Sequence, residues 1–283
     1  MKEYTLGLYE KSMPNFLSWE EKLNCAKECG FDTVEISIDE TDEKLARLDM
    51  SKQERQELVD LMFKCDAPIR TMCLSGHRKY PLGSMDEATR NKGMEIMRKA
   101  IDLASDLGIR IIQLAGYDVY YEKGNEKTKK IFEDNLKESV KMAANKGVIL
   151  AFETMETEFM NTIEKAMEFV KLVDSPYLQV YPDCGNIVNA TLDYGTNPID
   201  DLEKGRGHIS AVHLKETVPG KFREITFGTG HVNFEKIIKK SWDLGVRKFT
   251  SEFWYVGNSD WKDVIKNTKV FMDEKFKKAL EEN

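Results

Sequence analysis

Residues 147–153, GVILAFE, form a short apolar run that ends in an acidic residue, and the pattern recurs in the second half of the chain. Three later runs also end in a side chain able to bind a metal, namely LQVYPD (178–183), ISAVH (209–213) and KFTSE (248–252). The four terminal residues are separated by 30, 30 and 39 positions. Because one strand plus one helix occupies about this length, the spacing predicts the βα repeat of an α/β barrel.

Strand and helix signals alternate over the rest of the chain in the same way. Four earlier strands are predicted at 4–10, 33–39, 68–76 and 109–117. Helices are predicted at 18–30, 51–65, 86–107, 126–146, 161–173, 198–206, 234–244 and 259–281. Nearly continuous apolar strands indicate a parallel sheet covered by helices, and no GxGxxG follows the first strand to favour a doubly wound open sheet. We therefore predict an α/β fold, a single (β/α)8 TIM barrel forming one domain over 1–283 with a C-terminal closing helix.

The composition is that of an ordinary folded protein, with 32% charged and 41% hydrophobic residues among 283. A net charge of −7 and a pI near 5.4 lack the basic footprint of a nucleic-acid binder. No apolar run approaches the roughly 18 residues of a membrane span, and the N-terminus lacks a signal-peptide pattern. The five scattered cysteines suit reduced thiols. We expect a cytoplasmic protein without nucleic-acid or membrane partners.

The residues that end the four runs are Glu153, Asp183, His213 and Glu252. Because the C-terminal ends of barrel strands meet at one mouth, these side chains are expected to converge there. Three carboxylates and an imidazole would be held together by a divalent cation. The ligand set suits Mn²⁺, Mg²⁺, Co²⁺ or Zn²⁺, so one divalent metal ion is the predicted cofactor. The alternative is that each acid caps a helix or pairs with a basic residue at the barrel rim.

Two of these ligands also suit proton transfer on a sugar. A divalent ion that binds a ketone oxygen and the neighbouring hydroxyl acidifies the adjacent carbon and stabilises a cis-enediolate. Glu153 and Glu252 end strands on opposite sides of the predicted mouth, so they are the natural acid/base pair. Return of the proton to the opposite face inverts a stereocentre, whereas its return to the adjacent carbon interconverts ketose and aldose. The residues leave both outcomes open.

Further polar side chains follow the predicted strands and are candidate contacts for sugar or phosphate oxygens. These candidates are Lys11, Ser75, His77, Gln113, Glu156 and Lys215. Lys11 fits a solvated loop charge equally well, and His77 fits an ordinary surface residue. Gln113 lies in an apolar strand, where it is either a substrate contact or a satisfied core group. Glu156 also fits a helix cap, whereas Lys215 lies two residues beyond His213 and therefore on the same side of its strand.

Several long segments resemble the sugar-phosphate epimerases of the xylose-isomerase-like barrel superfamily, and among them the L-ribulose-5-phosphate (L-xylulose-5-phosphate) 3-epimerases. They are LGLYEKSMP (6–14), GFDTVEISIDETDEKLARLD (30–49), MCLSGHRKYPLGS (72–84), YPDCGN (181–186) and GHISAVHLKET (207–217). The resemblance runs nearly end to end and includes the predicted site loops. It implies metal-dependent epimerisation at C3 of a pentulose 5-phosphate in L-ascorbate and pentose catabolism. It also implies that all four strand-end residues bind the metal and that Glu153 and Glu252 exchange the proton.

Two positions depart from the pattern of the related epimerases that act on free ketoses. Those enzymes commonly carry a His three residues after the metal-binding Asp, where this chain has Asn186. They also carry an Arg shortly after the strand-seven His, which is absent here at that offset and which Lys215, Lys221 or Arg223 could replace. These departures favour a phosphorylated pentulose over a free ketohexose.

Three other functions are weighed against this hypothesis. An aldose–ketose or hexulose-phosphate isomerase would use the same ligands and the same enediolate. A non-catalytic sugar-phosphate binding protein would need no acid/base pair. An apurinic-site endonuclease would need many histidines and a basic surface, and this chain has four histidines and a net charge of −7. The expected partner is a small sugar phosphate, and a homodimer is the default assembly for such an enzyme.

Overall fold

The computed structural model describes residues 3–281 and confirms the predicted barrel. Its strands are β1 (Thr5–Tyr9), β2 (Thr33–Ile38), β3 (Ile69–Leu74), β4 (Ile111–Ala115), β5 (Ile149–Glu153), β6 (Leu178–Val180), β7 (Val212–Leu214) and β8 (Lys248–Ser251). They form one parallel sheet in the order β6-β5-β4-β3-β2-β1-β8-β7. Single parallel bridges, Val180 to Ile209 and Asp183 to His213, join the two end strands and close the barrel.

Ten helices cover this sheet within the described part of the chain. They are α1 (Trp19–Glu28), α2 (Asp42–Ala46), α3 (Lys52–Lys64), α4 (Glu87–Leu107), α5 (Glu126–Lys146), α6 (Ile163–Val173), α7 (Cys184–Tyr194), α8 (Pro198–Lys204), α9 (Phe234–Asp243) and α10 (Trp261–Glu281). The first helix, α1, begins with a reciprocal capping box formed by Ser18 and Glu21. Over residues 3–281, no helix combines the length and the apolar character needed to cross a membrane.

Two of these helices lie outside the sequence prediction. The short α2 occupies part of the 40–50 connection, and α7 begins immediately after Asp183. Its sequence CGNIVNATLDY contains glycine, asparagines and β-branched residues, which are weak helix formers. Residues 184–191 are all buried. Tertiary packing therefore supports this helix where propensity does not.

The strands at the closing seam are shorter or shifted relative to the prediction. The structure ends β6 at Val180, whereas the apolar run extends to Asp183. Pro182 has no N–H to donate to a neighbouring strand, and Asp183 serves instead as the N-cap of α7. β7 covers Val212–Leu214 rather than 209–213, so His213 is its central residue.

Polar side chains replace apolar ones in one part of the barrel interior. Glu35 on β2, Gln113 on β4, Tyr181 just after β6 and Thr250 on β8 are all buried there. They come from alternate strands, as expected for a layer of inward-facing side chains. Glu35 and Thr250 both contact the Tyr181 hydroxyl, at 3.0 and 2.7 Å. This polar layer lies beside His213 and positions it, as described below.

Candidate active site

The four predicted metal ligands converge at the C-terminal end of the barrel. Glu153 is the last residue of β5, His213 lies within β7, and Glu252 directly follows β8. Asp183 lies three residues beyond β6, where its Oδ1 accepts the Asn186 N–H at 2.7 Å and so leaves Oδ2 directed elsewhere. One potential ligand atom from each of the four residues lies within 4.8 Å of all the others, and all four side chains are buried.

The donor set fits a divalent cation. Asp183 Oδ2 and Glu252 Oε2 are buried, and neither accepts a hydrogen bond of good geometry from a described residue, although both share the single ammonium group of Lys215 at 3.0 and 3.6 Å. His213 Nδ1 lies 3.2 Å from Glu252 Oε2 and 4.0 Å from Asp183 Oδ2, so this nitrogen faces the carboxylates. Buried oxygen atoms of ionised carboxylates are costly without a partner, and a divalent ion bound by O and N ligands supplies one.

The mutual repulsion of the carboxylates is visible in their pKa values. Burial and then the charge of Glu252 raise the pKa of Glu153 to about 8. Burial opposes ionisation of Glu252 as well, but Lys215 and His213 outweigh it and hold its pKa well below the usual range. Burial and Glu252 raise the pKa of Asp183 to about 7, although Lys215 lowers it. The cluster of acids therefore retains protons that a cation would displace.

Lys215 is a positively charged side chain in contact with this cluster. Its Nζ lies 3.0 Å from Asp183 Oδ2 and 3.6 Å from Glu252 Oε2, and the side chain is almost fully buried. Asn186 accepts a hydrogen bond from the same Nζ at 2.8 Å. Asn186 is one of the two departures from the free-ketose pattern, and the structure brings it into direct contact with Lys215, one of the three residues that could replace the missing Arg.

The cavity above the cluster contains four of the six predicted substrate contacts. Lys11, Ser75, Glu156 and Lys215 line it, together with Glu153 and Glu252. Its other lining residues are Tyr9, Cys73, Arg78, Met155, Asn186, Phe222, Arg223 and Trp254. Trp254 was missed from the sequence, although it lies two residues beyond Glu252 and would share its side of an extended chain.

The other two predicted contacts lie outside this lining. His77 is buried, and its Nε2 contacts the Gly93 carbonyl oxygen at 3.1 Å. Burial lowers the pKa of this imidazole to about 4, which keeps it neutral. Gln113 is also buried, and its Nε2 lies 3.4 Å from the Tyr181 carbonyl oxygen and 3.2 Å from His213 Nδ1. The structure therefore places His77 under the α4 backbone and Gln113 against a metal-ligand side chain.

Glu35 is a site residue that the sequence reasoning did not identify. Its Oε1 lies 2.6 Å from His213 Nε2, the ring nitrogen opposite the carboxylate cluster. Both side chains are completely buried. The signal was an acid inside the otherwise buried strand TVEISI, because a carboxylate in such a strand requires a partner.

A belt of charged and aromatic side chains spans the mouth above the cavity. Arg223 lies 3.6 Å from Glu156, whose Oε1 also accepts a hydrogen bond from the Tyr120 hydroxyl at 2.8 Å. The Arg78 guanidinium stacks on the Tyr120 ring, 4.7 Å from its centroid, and pairs with Glu40 at 3.9 Å. The cavity beneath is narrow, with a volume of about 40 Å³.

A much larger surface groove, of about 700 Å³, lies between α6, α7 and α8. Its lining includes Lys165, Tyr194 and Asp200 and none of the four clustered ligands. Site chemistry requires converging acid, base and metal donors, so we assign the active site to the small cavity despite its size.

Comparison with known proteins agrees with this geometry. Residues 23–269 match the family described as Xylose isomerase-like TIM barrel. The chain is 49% identical over 236 residues to L-ribulose-5-phosphate 3-epimerase UlaE of Escherichia coli O139:H28, covering 83% of this chain and 81% of that protein. The identity and coverage are the same for the protein of that name from Shigella sonnei.

Solved structures of sugar epimerases share the fold. A D-allulose 3-epimerase from Methylomonas sp. superimposes with a TM-score of 0.79 at 18% identity, covering 97% of this chain and 99% of that one. An L-ribulose 3-epimerase gives a TM-score of 0.77 at 17% identity, covering 99% and 96%. The family match and the 49% identity lead to one conclusion. The chain belongs to the xylose isomerase-like TIM barrel family and, within it, to the L-ribulose-5-phosphate 3-epimerases.

Proposed function

We propose that this enzyme inverts C3 of a pentulose 5-phosphate, interconverting L-ribulose 5-phosphate and L-xylulose 5-phosphate through a cis-enediolate. The observation that carries the proposal is the convergence of Glu153, Asp183, His213 and Glu252 within 4.8 Å of one another, where Glu153 and Glu252 line one cavity. The relatives' name supplies the substrate class. This activity would serve the catabolism of pentoses and L-ascorbate.

Glu153 and Glu252 are the proposed acid/base pair. Both carboxylates line the cavity, and they reach it from β5 and β8, which are separated by β6 and β7 in the closed barrel. One carboxylate removes the C3 proton, and the other delivers a proton to the opposite face, which inverts the configuration. Lys215 lies close enough to Glu252 to favour its ionised form.

Asp183 and His213 complete the ligand set for one divalent ion, Mn²⁺, Mg²⁺, Co²⁺ or Zn²⁺. Such an ion supplies Lewis-acid stabilisation to the oxygen atoms that gain negative charge when the C3 proton leaves. The two carboxylate oxygens that lack a well-formed hydrogen bond, Asp183 Oδ2 and Glu252 Oε2, support this assignment.

The cationic side chains of the cavity suit the phosphate end of the substrate. Lys11, Arg78 and Arg223 line it near the mouth, while Lys215 lies deeper, against the carboxylates. Arg223 and Arg78 are held by acids at 3.6 and 3.9 Å, which are loose pairs that a phosphate can replace. We propose that the phosphate binds at the rim and that Ser75 and Glu156 contact the sugar hydroxyls.

A narrow cavity mouth suits a movable covering segment. Arg223 belongs to the long connection between β7 and α9, and its guanidinium packs 5.5 Å from the Trp254 ring centroid. Movement of this connection would open the mouth, and its return would exclude water from the enediolate.

The proposal is tested by incubating L-ribulose 5-phosphate with the enzyme in D₂O, before and after treatment with a chelator. We expect deuterium at C3, formation of L-xylulose 5-phosphate, loss of turnover on chelation and recovery with added Mn²⁺ or Co²⁺. Label at C1 with aldose formation would identify an aldose–ketose isomerase instead. Full activity after chelation would overturn the metal requirement, and no turnover with intact binding would indicate a sugar-phosphate binding protein.

The remaining parts of the proposal concern partners and location. A small sugar phosphate is the proposed partner, with neither nucleic acid nor membrane, and the enzyme is proposed to act in the cytoplasm as a homodimer. Buried, reduced thiols at all five cysteines support the cytoplasmic assignment. Sedimentation of the purified enzyme tests the dimer: a single species of about 33 kDa would contradict it.

A further inference from the structure

We infer that Glu35 is a positioning residue that selects the nitrogen with which His213 binds the metal and holds the ring in place. Glu35 Oε1 lies 2.6 Å from His213 Nε2, whereas Nδ1 faces Glu252 at 3.2 Å. A proton on Nε2 donated to Glu35 leaves the Nδ1 lone pair for the cation. The inference rests on the metal dependence of the proposed function and deepens it.

Glu35 is itself held in position from the other side. Its second oxygen, Oε2, accepts a hydrogen bond from the Tyr181 hydroxyl at 3.0 Å, and Tyr181 also contacts Thr250 Oγ1 at 2.7 Å. All three side chains are buried, at relative exposures of 0%, 0% and 3%. With both oxygens engaged, the carboxylate cannot rotate away from His213 without breaking a second buried hydrogen bond.

Gln113 holds the His213 ring from the other side. Its Nε2 lies 3.4 Å from the Tyr181 carbonyl oxygen, an obligate acceptor, which orients the amide with its N–H groups on this side. The same Nε2 lies 3.2 Å from His213 Nδ1. Gln113 therefore packs against the imidazole from the side opposite Glu35 and limits its rotation.

Glu35 does not belong to the strand-end pattern of the four predicted ligands. Glu35 comes from β2, far along the sheet from β7, and it meets His213 only across the barrel interior. A carboxylate behind a metal-binding imidazole raises its basicity and fixes its orientation, and loss of such a partner typically costs about 10- to 100-fold in metal affinity. A buried carboxylate with a purely structural role would contribute to folding alone.

The test measures Mn²⁺ dissociation constants by titration of wild-type protein and of three variants, without reference to turnover. We expect Glu35→Ala to bind Mn²⁺ about 10- to 100-fold more weakly. Glu35→Gln should recover much of this loss, because its amide oxygen can still accept the Nε2 proton. Asp201→Asn is the matched control, since Asp201 is a buried carboxylate that accepts the Ile163 and Glu164 N–H groups away from the site. It should lower stability and leave Mn²⁺ affinity unchanged.

A second measurement uses the wild-type protein and therefore does not depend on a variant that folds. The ¹⁵N resonances of His213 in the Zn²⁺-loaded protein should place the proton on Nε2 and the metal on Nδ1. Equal Mn²⁺ affinity of Glu35→Ala and wild type, or a proton on Nδ1, would overturn the role of Glu35. Failure of the wild-type protein to bind any divalent ion would instead overturn the metal-dependent function itself.

Discussion

Two buried ionic clusters lie at the C-terminal side of this barrel, and they have opposite compositions. The acidic cluster consists of Glu35, Glu153, Asp183 and Glu252 with His213 and Lys215. The Glu10 cluster consists of a single carboxylate, Glu10, surrounded by Lys22, Lys44 and Arg47. In both, charged groups have been removed from water at a cost of several kcal/mol for each isolated ion.

The Glu10 cluster is internally satisfied. Glu10 is fully buried, and its Oε1 lies 2.7 Å from Lys44 and 3.3 Å from Lys22, while Oε2 lies 2.6 Å from Arg47. Arg47 and Lys22 also pack over the Trp19 ring at 4.9 and 5.3 Å. The cations hold the pKa of Glu10 at about 2 against the opposing effect of burial. Each charged group in this cluster has a partner, so it acts as a structural clasp between β1, α1 and α2.

The acidic cluster is left incomplete. Asp183 Oδ2 and Glu252 Oε2 accept no well-formed hydrogen bond among residues 3–281, and the pKa of Glu153 is raised to about 8. Unfavourable electrostatics among buried carboxylates is found at sites that a bound ligand completes. The contrast teaches that burial of charge alone does not identify a functional site; several buried carboxylates with oxygen atoms that lack a well-formed hydrogen bond do.

The largest expected effect concerns the acidic cluster. Changing Glu252→Gln removes a proposed proton-transfer group without changing its shape, so kcat for L-ribulose 5-phosphate should fall about 10²- to 10⁴-fold. Substrate binding, measured by calorimetry, should persist. Glu235→Gln, a partly exposed acid paired with Lys275, is the control and should leave kcat unchanged. A kcat within tenfold of wild type would remove Glu252 from the acid/base pair.

The same substitution in the Glu10 cluster should act on stability instead. Glu10→Gln leaves three cations without a counter-charge, and the free energy of unfolding in urea should fall by about 3–5 kcal/mol. Lys64→Ala breaks the exposed pair with Glu20, at 2.6 Å, and should cost less than about 1 kcal/mol. If both variants lost equally little, the Glu10 cluster would not be the clasp described above.

The smallest expected effect, and the most specific test, is the pH dependence of the stability that Glu10→Gln loses. Because the pKa of Glu10 is lowered from 4.5 to about 2 in the folded protein, its contribution is fully present above pH 4.5. It should disappear as the pH falls from 4.5 towards 2, since the unfolded chain takes up the proton first. The difference in unfolding free energy between wild type and Glu10→Gln should therefore be constant above pH 5 and shrink below it. A difference that stays constant down to pH 2.5 would contradict this assignment.

The barrel and the metal ligands could be predicted from local sequence. Strand runs and helix caps are short-range signals, and Ser18 with Glu21, or Ser51 with Glu54, marks a helix start within four residues. Repeating strand-plus-helix units then place the ends of strands together by geometry alone. For this reason the spacing from Glu153 to Glu252 was sufficient to predict four converging ligands.

Helix α7 and the shifted β7 escaped prediction for a different reason. The helix consists of weak helix formers that are stabilised by burial, and burial is a property of the assembled barrel. The same holds for His77, which resembled a loop contact in sequence and is enclosed beneath the carbonyl oxygen of Gly93. The sequence pattern alone cannot distinguish a polar side chain that points into a cavity from one that hydrogen-bonds a backbone group distant in sequence.

The sequence by itself determined the fold class, the family and the four strand-end residues that converge in this protein, because each depends on periodicity or on motifs contiguous in the chain. Only the tertiary structure decided which polar groups meet across the barrel. Glu35 reaches His213 from 178 residues away, and Lys44 reaches Glu10 over 34. Such contacts are set by the closure and stagger of the eight strands, which no local pattern encodes, and they separate a satisfied ionic clasp from the cluster of acids that we propose to hold a cation.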